Sequence, residues 1–161
     1  MDLGEKRTAG HWHHAGLRGA FLGLLIRAGA AGHIGKGEQL TTTGPYAHTR
    51  NPLYFGSFMI AAGFALASHW SLLLVVIALF AFIYGPTIEQ ERTEISGKFP
   101  EAYAQYQANV PAFTPRLTPW QEQTGSESFS FSLYMRQREW QASLAFAAVT
   151  AWLVARSTLG F

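Results

Sequence analysis

The 161-residue chain contains no cysteine, which removes disulfides, thiol nucleophiles and thiolate-ligated metal together. Charge is scarce as well. Only 14% of residues are Asp, Glu, Lys or Arg, while 48% are hydrophobic, against about 25% charged in soluble domains. That balance leans toward a membrane protein. Lysine and arginine exceed the acids by two and form no basic stripe, so a nucleic-acid partner is excluded. No G-x-G-x-x-G follows a strand signal, so a Rossmann dinucleotide fold has no support. Residues 30–37 come close to a phosphate loop through Gly35-Lys36. Gly37, however, stands where Ser or Thr should hold magnesium, and no strand precedes it. No apolar core with a small-residue cleavage site follows the polar first ten residues, so a cleaved signal peptide is not expected. His11, His13 and His14 cluster near the start. Imidazole is a common metal ligand, but a short tract of this kind reads more readily as a solvated or interfacial terminus, and no metal is expected.

What the chain does have is apolar length. Residues 15–34 are apolar apart from Arg18, Arg27 and His33, and Gly19 and Gly23 stand four apart, a spacing that lets helices approach closely in lipid. A membrane helix is expected there. Arg27 lies well inside it; such a residue faces a partner or a wet cavity, or the helix lies shallow and Arg27 snorkels to the interface. Residues 53–68 and 72–88 form two further runs. At 1.5 Å per residue each covers roughly 25 Å, just enough for the hydrocarbon core. The link His69-Trp70-Ser71 permits only an antiparallel hairpin, and Trp70 suits an interfacial belt. The stretch 72–83 has no polar face, so it is either deeply buried or in lipid. A chain this short lacks the bulk to bury it.

Beyond Gly85-Pro86 a separate polar helix is expected, with Glu91 and Glu94 on one face and Lys98 following. Residues 102–108 read as a short helix carrying Tyr103 and Tyr106 on one side. Pro111, Pro115 and Pro119 stiffen an extended strap, 121–132 is a polar, serine-rich loop, and 140–155 is a last apolar run that either spans the membrane or packs in the interface. The His69 link carries no Lys or Arg, whereas Lys36, Arg50, Arg92, Lys98, Arg116, Arg136 and Arg138 lie on the other side of the hairpin. The positive-inside rule puts that side in the cytosol. Two polar segments, one before and one after the hairpin, therefore meet at the same surface.

The first of these segments is Gly44-Pro45-Tyr46-Ala47-His48-Thr49-Arg50-Asn51-Pro52-Leu53-Tyr54-Phe55-Gly56. Gly44-Pro45 signals a turn. Asn51-Pro52 reads as a helix start with Asn51 as cap and Pro52 as first helical residue. With the hairpin, the acidic helix and the later run Phe99…Tyr103…Tyr106…Val110-Pro111…Pro115-Arg116, it resembles the isoprenylcysteine carboxyl methyltransferase family, which shares its cofactor region with membrane phospholipid methyltransferases. The likeness covers roughly residues 16–117 and rests on order and spacing rather than on any one piece. It implies a single all-α domain over 1–161. The implied fold is a small polytopic bundle of about three to four transmembrane helices with a cytosolic C-terminal region binding S-adenosylmethionine. In a bacterium it implies the inner membrane. The chain departs from the family pattern at Asn51, where His is common, and at Glu91-Arg92, where a Glu-Glu pair is usual. It also has one apolar segment ahead of Gly44 where relatives often have two or more.

The resemblance assigns cofactor binding to Gly44, Pro45, Tyr46, Arg50, Asn51, Pro52, Tyr54, Gly56 and Glu91, with Glu94 one turn on as a substitute acid. The residue chemistry agrees. S-adenosylmethionine carries cationic groups that need acceptors, for which Glu91 is best placed. Its carboxylate needs donors, which Arg50 or the free N–H groups at the Pro52 helix start supply. Tyr46 and Tyr54 offer aromatic faces to adenine or to the sulfonium. Equally, Arg50 and Glu91 form a simple pair, or the tyrosines serve as interfacial anchors. An amine acceptor requires a base, for which His48 is a candidate. Arg27, if it faces the cavity, is placed to hold a carboxylate acceptor. The expected activity is methyl transfer to a lipophilic small molecule, on carboxyl oxygen or amine nitrogen. The other reading is a non-catalytic membrane protein that keeps the scaffold.

Overall fold

The computed structural model describes residues 3–33, 39–120 and 128–159, with side chains over 14–33, 39–120 and 128–156. Ile34, Gly35, Lys36, Gly37, residues 121–127 and the side chains of His11 and His13 lie outside them. Among the described residues every regular element is helical. Helix α1 (Leu3–His33) leads to a 3-10 turn (Gly44–Ala47), then α2 (Pro52–Ser68), α3 (Ser71–Lys98), α4 (Pro100–Asn109), α5 (Phe131–Arg136) and α6 (Trp140–Leu159).

Helices α1 and α2 run antiparallel and nearly touch backbone to backbone. A Cβ placed on Gly23 would lie 2.6 Å from the Gly56 carbonyl oxygen, and one on Gly56 would lie 2.7 Å from that of Gly23. Two turns away, Gly16 and Gly63 block each other in the same way. The expected Gly19–Gly23 pair is therefore corrected: Gly19 meets nothing within 4 Å, and the small residues of α1 that face α2 are Gly16, Ala20 and Gly23. Two helical turns advance about seven residues, which returns the glycines to the same face along the whole crossing.

Helix α3 also departs from expectation. It runs unbroken through Gly85-Pro86 for 28 residues, about 42 Å at 1.5 Å per residue. Pro86 lacks the N–H that would bond the Phe82 carbonyl, but one such loss is tolerated in an apolar helix. One residue on, the Thr87 hydroxyl donates to the Ile83 carbonyl at 3.2 Å. No residue of α3 is buried, and Leu74, Phe82 and Ile83 are all exposed. Among the described residues α3 is the one helix long and apolar enough to cross a membrane; α2 is apolar but shorter. The helix is longer than a hydrocarbon core of about 30 Å, and Glu89, Glu91 and Arg92 fall in its polar C-terminal part.

The short helix after Phe99 forms as expected, slightly longer, at Pro100–Asn109. Tyr103, Tyr106 and Val110 make a buried cluster with Leu40, Ile95 and Trp120 against it. The proline strap then turns back along the 44–51 segment. Arg50 N–H donates to the Pro111 carbonyl (2.9 Å), Arg116 N–H to His48 (2.9 Å) and Trp120 N–H to Ala47 (2.9 Å). The three prolines cannot donate, so Pro111 takes part only as an acceptor and the strap's donors are Arg116 and Trp120, each directly after a proline. Phe113 anchors the strap to the hairpin, with ring centroids 5.5 Å from Phe55, 5.7 Å from Phe58 and 5.7 Å from Phe80. The serine-rich loop ends earlier than expected, because α5 begins at Phe131. Helix α6 then lies against α1 and α2 through Phe146, which packs on Phe21 (6.2 Å) and Phe64 (5.4 Å).

Candidate cofactor cavity

The 44–51 segment, the first turn of α2, the end of α3 and α4 enclose a cavity of about 380 Å³, within the roughly 300–1,000 Å³ typical of small-ligand sites. Tyr46, Arg50, Asn51, Pro52, Tyr54 and Glu91 all line it. Two segments some 40 residues apart in sequence thus converge because the α2–α3 hairpin returns the chain to its starting surface.

Each wall residue is held by identifiable partners. Gly44 adopts φ +58°, a left-handed conformation that disfavours a side chain, and a Cβ there would strike the His33 ring. That bend starts the 3-10 turn that presents Tyr46. Tyr46 is held from behind by Tyr106, whose hydroxyl donates to the Tyr46 carbonyl at 2.7 Å. Burial pushes the Tyr46 hydroxyl well above its ordinary value, and the charges of Glu91 and Glu139 add to the rise. Burial does the same to Tyr106, with nearby Tyr46 adding to it. Both hydroxyls therefore stay neutral, and that of Tyr106 acts as a hydrogen-bond donor.

Arg50 donates through Nη1 to the Tyr103 hydroxyl at 3.1 Å and sits 5.8 Å from that ring's centroid. Its Nε is buried and has no protein acceptor, a costly state for a charged donor. Glu91 accepts a 2.6 Å bond from the Tyr54 hydroxyl. Arg50 and Glu91 are not paired with each other; they face one cavity as separate opposite charges. Pro52 takes the first helical position as expected, but Asn51 does not cap α2 with its side chain. Its amide nitrogen instead donates to the Ala112 carbonyl of the strap at 2.8 Å. The first-turn N–H groups of Leu53 and Tyr54 are left without intrahelical acceptors, beside the cavity.

Other residues singled out from the sequence fall elsewhere. Gly44 and Pro45 shape the turn without lining the cavity, and Gly56 belongs to the α1–α2 crossing. Glu94 is exposed and lies 3.8 Å from Lys98. His48 bonds the Arg116 carbonyl through Nδ1 at 2.8 Å. A carbonyl only accepts, so Nδ1 carries the proton, and His48 fastens the strap. Arg27 stands outside the cavity wall, with its Nε and Nη2 each 2.7 Å from a carboxylate oxygen of Glu139. At the position of the usual second acid, Arg92 pairs with Glu89.

Sequence reasoning named Tyr103, Tyr106, Arg92 and Lys98 without assigning them to the cavity they line, and did not single out Glu139. The first two had a signal, their three-residue spacing on an otherwise polar helix. Glu139 had none, since only the turn before α6 brings it to Arg27.

Comparison with known proteins agrees with this architecture. The phospholipid methyltransferase family matches residues 20–101, half of the chain, and covers α2, α3 and the cavity's acidic wall. The chain belongs to that family, whose members point to methyltransferase activity at membranes. Among curated proteins it is similar to the nickel-cobalt-cadmium resistance protein NccN of Alcaligenes xylosoxydans xylosoxydans, 35% identical over 106 residues, 64% of this chain and 49% of the relative. It is also similar to the cobalt-zinc-cadmium resistance protein CzcN of Cupriavidus metallidurans, 32% identical over 124 residues, 72% of this chain and 57% of the relative. The chain thus spans about half the length of these relatives. No solved structure matches it significantly.

Proposed function

We propose that the chain is a multi-pass membrane methyltransferase that uses S-adenosylmethionine to methylate a lipophilic acceptor at the cytosolic surface. The observation that carries this reading is the cavity with Arg50 on one side, its Nε unpartnered, and Glu91 on the other. A zwitterionic cofactor needs both charges. Arg50 and the first-turn N–H groups of α2 would hold its carboxylate, and Glu91, oriented by Tyr54, its cationic end. Tyr46 supplies an aromatic wall. The cofactor supplies an activated methyl group, so the protein has no bond-making group of its own to provide. Its contribution is to exclude water and align the acceptor, worth about 7–11 kcal/mol when orientation is good. Helices α1, α2 and α6 join α3 in the bilayer in this reading, and lipid covers the exposed face of α3.

A second reading is a binding scaffold without turnover, serving in metal resistance as the relatives' names suggest. Arg92 favours it, because a cation paired with Glu89 stands in the cavity lining where the family usually has a second acid. Methyl transfer from labelled S-adenosylmethionine to total membrane lipid separates the two: incorporation supports the enzyme, and cofactor binding with no incorporation supports the scaffold.

A further inference from the structure

The C-terminal part of the chain, outside the residues matched to the family, reaches back to α1 through one polar contact. Arg138 adopts φ +57° between α5 and α6, a backbone state that non-glycine residues hold only where their surroundings fix it. The next residue, Glu139, is buried and receives the Arg27 guanidinium through two bonds, Nε to Oε2 and Nη2 to Oε1, at 2.7 Å each. Arg27 Nη1 bonds the Ser57 hydroxyl, which donates to the Leu53 carbonyl at 2.8 Å. Leu53 lines the cavity. The ion pair is therefore linked through the Ser57 hydroxyl to a residue of the cavity wall.

The geometry of the fork matters. A guanidinium has five N–H groups, and three are used here, one on each nitrogen. Two remain, one on each terminal nitrogen. The arginine side chain keeps 27% of its surface exposed, against 10% for the glutamate, so Arg27 is the more accessible partner. A charge at this depth is costly unless its remaining donors meet polar atoms.

We propose that Glu139 is a positioning residue for the acceptor side of the site: with Ser57 it fixes the Arg27 guanidinium against the bundle-side cavity wall, leaving two N–H donors for the polar end of a lipophilic acceptor entering from the bilayer. This rests on the cofactor reading above and assigns the acceptor side, which that reading leaves open. Glutamate rather than a neutral residue is needed because the fork must be gripped at two points to hold one plane.

The test compares the wild-type protein with Glu139→Gln, Ser57→Ala and the exchange Arg27→Glu/Glu139→Arg in detergent micelles doped with total cellular lipid extract. S-Adenosylmethionine affinity, thermal stability and methyl transfer as a function of lipid concentration are measured for each. The proposal expects cofactor affinity within twofold of wild type throughout. It expects the apparent KM for lipid to rise at least tenfold in Glu139→Gln and about threefold in Ser57→Ala. The exchange variant should recover thermal stability but not KM. An unchanged KM in Glu139→Gln, or an exchange variant that recovers KM along with stability, overturns it and leaves a structural clamp. If the wild type fails to bind S-adenosylmethionine, the cofactor reading fails instead, and this proposal with it.

Discussion

The Tyr54 hydroxyl donates a 2.6 Å hydrogen bond to Glu91, joining the first turn of α2 to the far end of α3. These residues lie at opposite ends of the hairpin sequence and at the same end of the folded hairpin. The bond fixes the rotamer of an otherwise exposed carboxylate and aims it at the cavity. Tyr54→Phe keeps the ring and loses only this bond. It is expected to weaken S-adenosylmethionine binding by about two- to tenfold, the size of one ordinary hydrogen bond, with little change in thermal stability. Calorimetric titration checks it.

The α1–α2 crossing gives a stability prediction with a built-in control. Gly23→Val places side-chain atoms against the Gly56 backbone and should cost about 1–3 kcal/mol, as overpacking does. Gly19→Ala meets open space and should be neutral or stabilising by up to about 1 kcal/mol, since alanine is the better helix former. Thermal unfolding in detergent distinguishes the two.

This contrast also shows what the sequence made legible. The hairpin, the Pro52 helix start, α4 and the meeting of Arg50 with Glu91 all followed from strong local signals: apolar runs, prolines, a two-residue link. The choice among glycines did not, because which face of α1 meets α2 depends on the partner helix as much as on the spacing. Pro86 was misread because a proline signals a helix end locally, whereas α3 continues through it from its apolar part into its polar last turns. Asn51 takes the N-cap position as read, but nothing in the local sequence shows that a carbonyl 61 residues later, at Ala112, would claim its side-chain amide. Arg27 was recognised as needing a partner, but Glu139 lies 112 residues away and no periodicity links them.

Phe113 anchors the strap that forms one edge of the cavity. Phe113→Ala removes ring contacts to Phe55, Phe58 and Phe80 and is expected to cost about 3 kcal/mol. The strap carries the carbonyls that hold Arg50 N–H and the Asn51 side chain, so cofactor affinity should fall too. Protease sensitivity within 110–120 should rise in parallel.

The buried tyrosines set an alkaline limit. Tyr106 holds its proton more tightly folded than unfolded, because burial disfavours the phenolate. Above about pH 10 the unfolded chain releases protons that the folded one retains. Stability from this source is therefore complete at neutral pH and declines as pH rises beyond 10. Tyr106→Phe should flatten that decline while lowering neutral-pH stability by about 1 kcal/mol, through loss of the bond to the Tyr46 carbonyl. Denaturant unfolding at several pH values checks both effects.

The most direct measurement is equilibrium binding of S-adenosylmethionine to the purified protein in detergent, alongside Arg50→Ala and Glu91→Ala. Saturable binding by the wild type is expected, weakened about tenfold or more in each variant, with both variants retaining wild-type helicity. Binding that is absent in the wild type, or indifferent to both substitutions, contradicts the assignment of this cavity to the methyl donor.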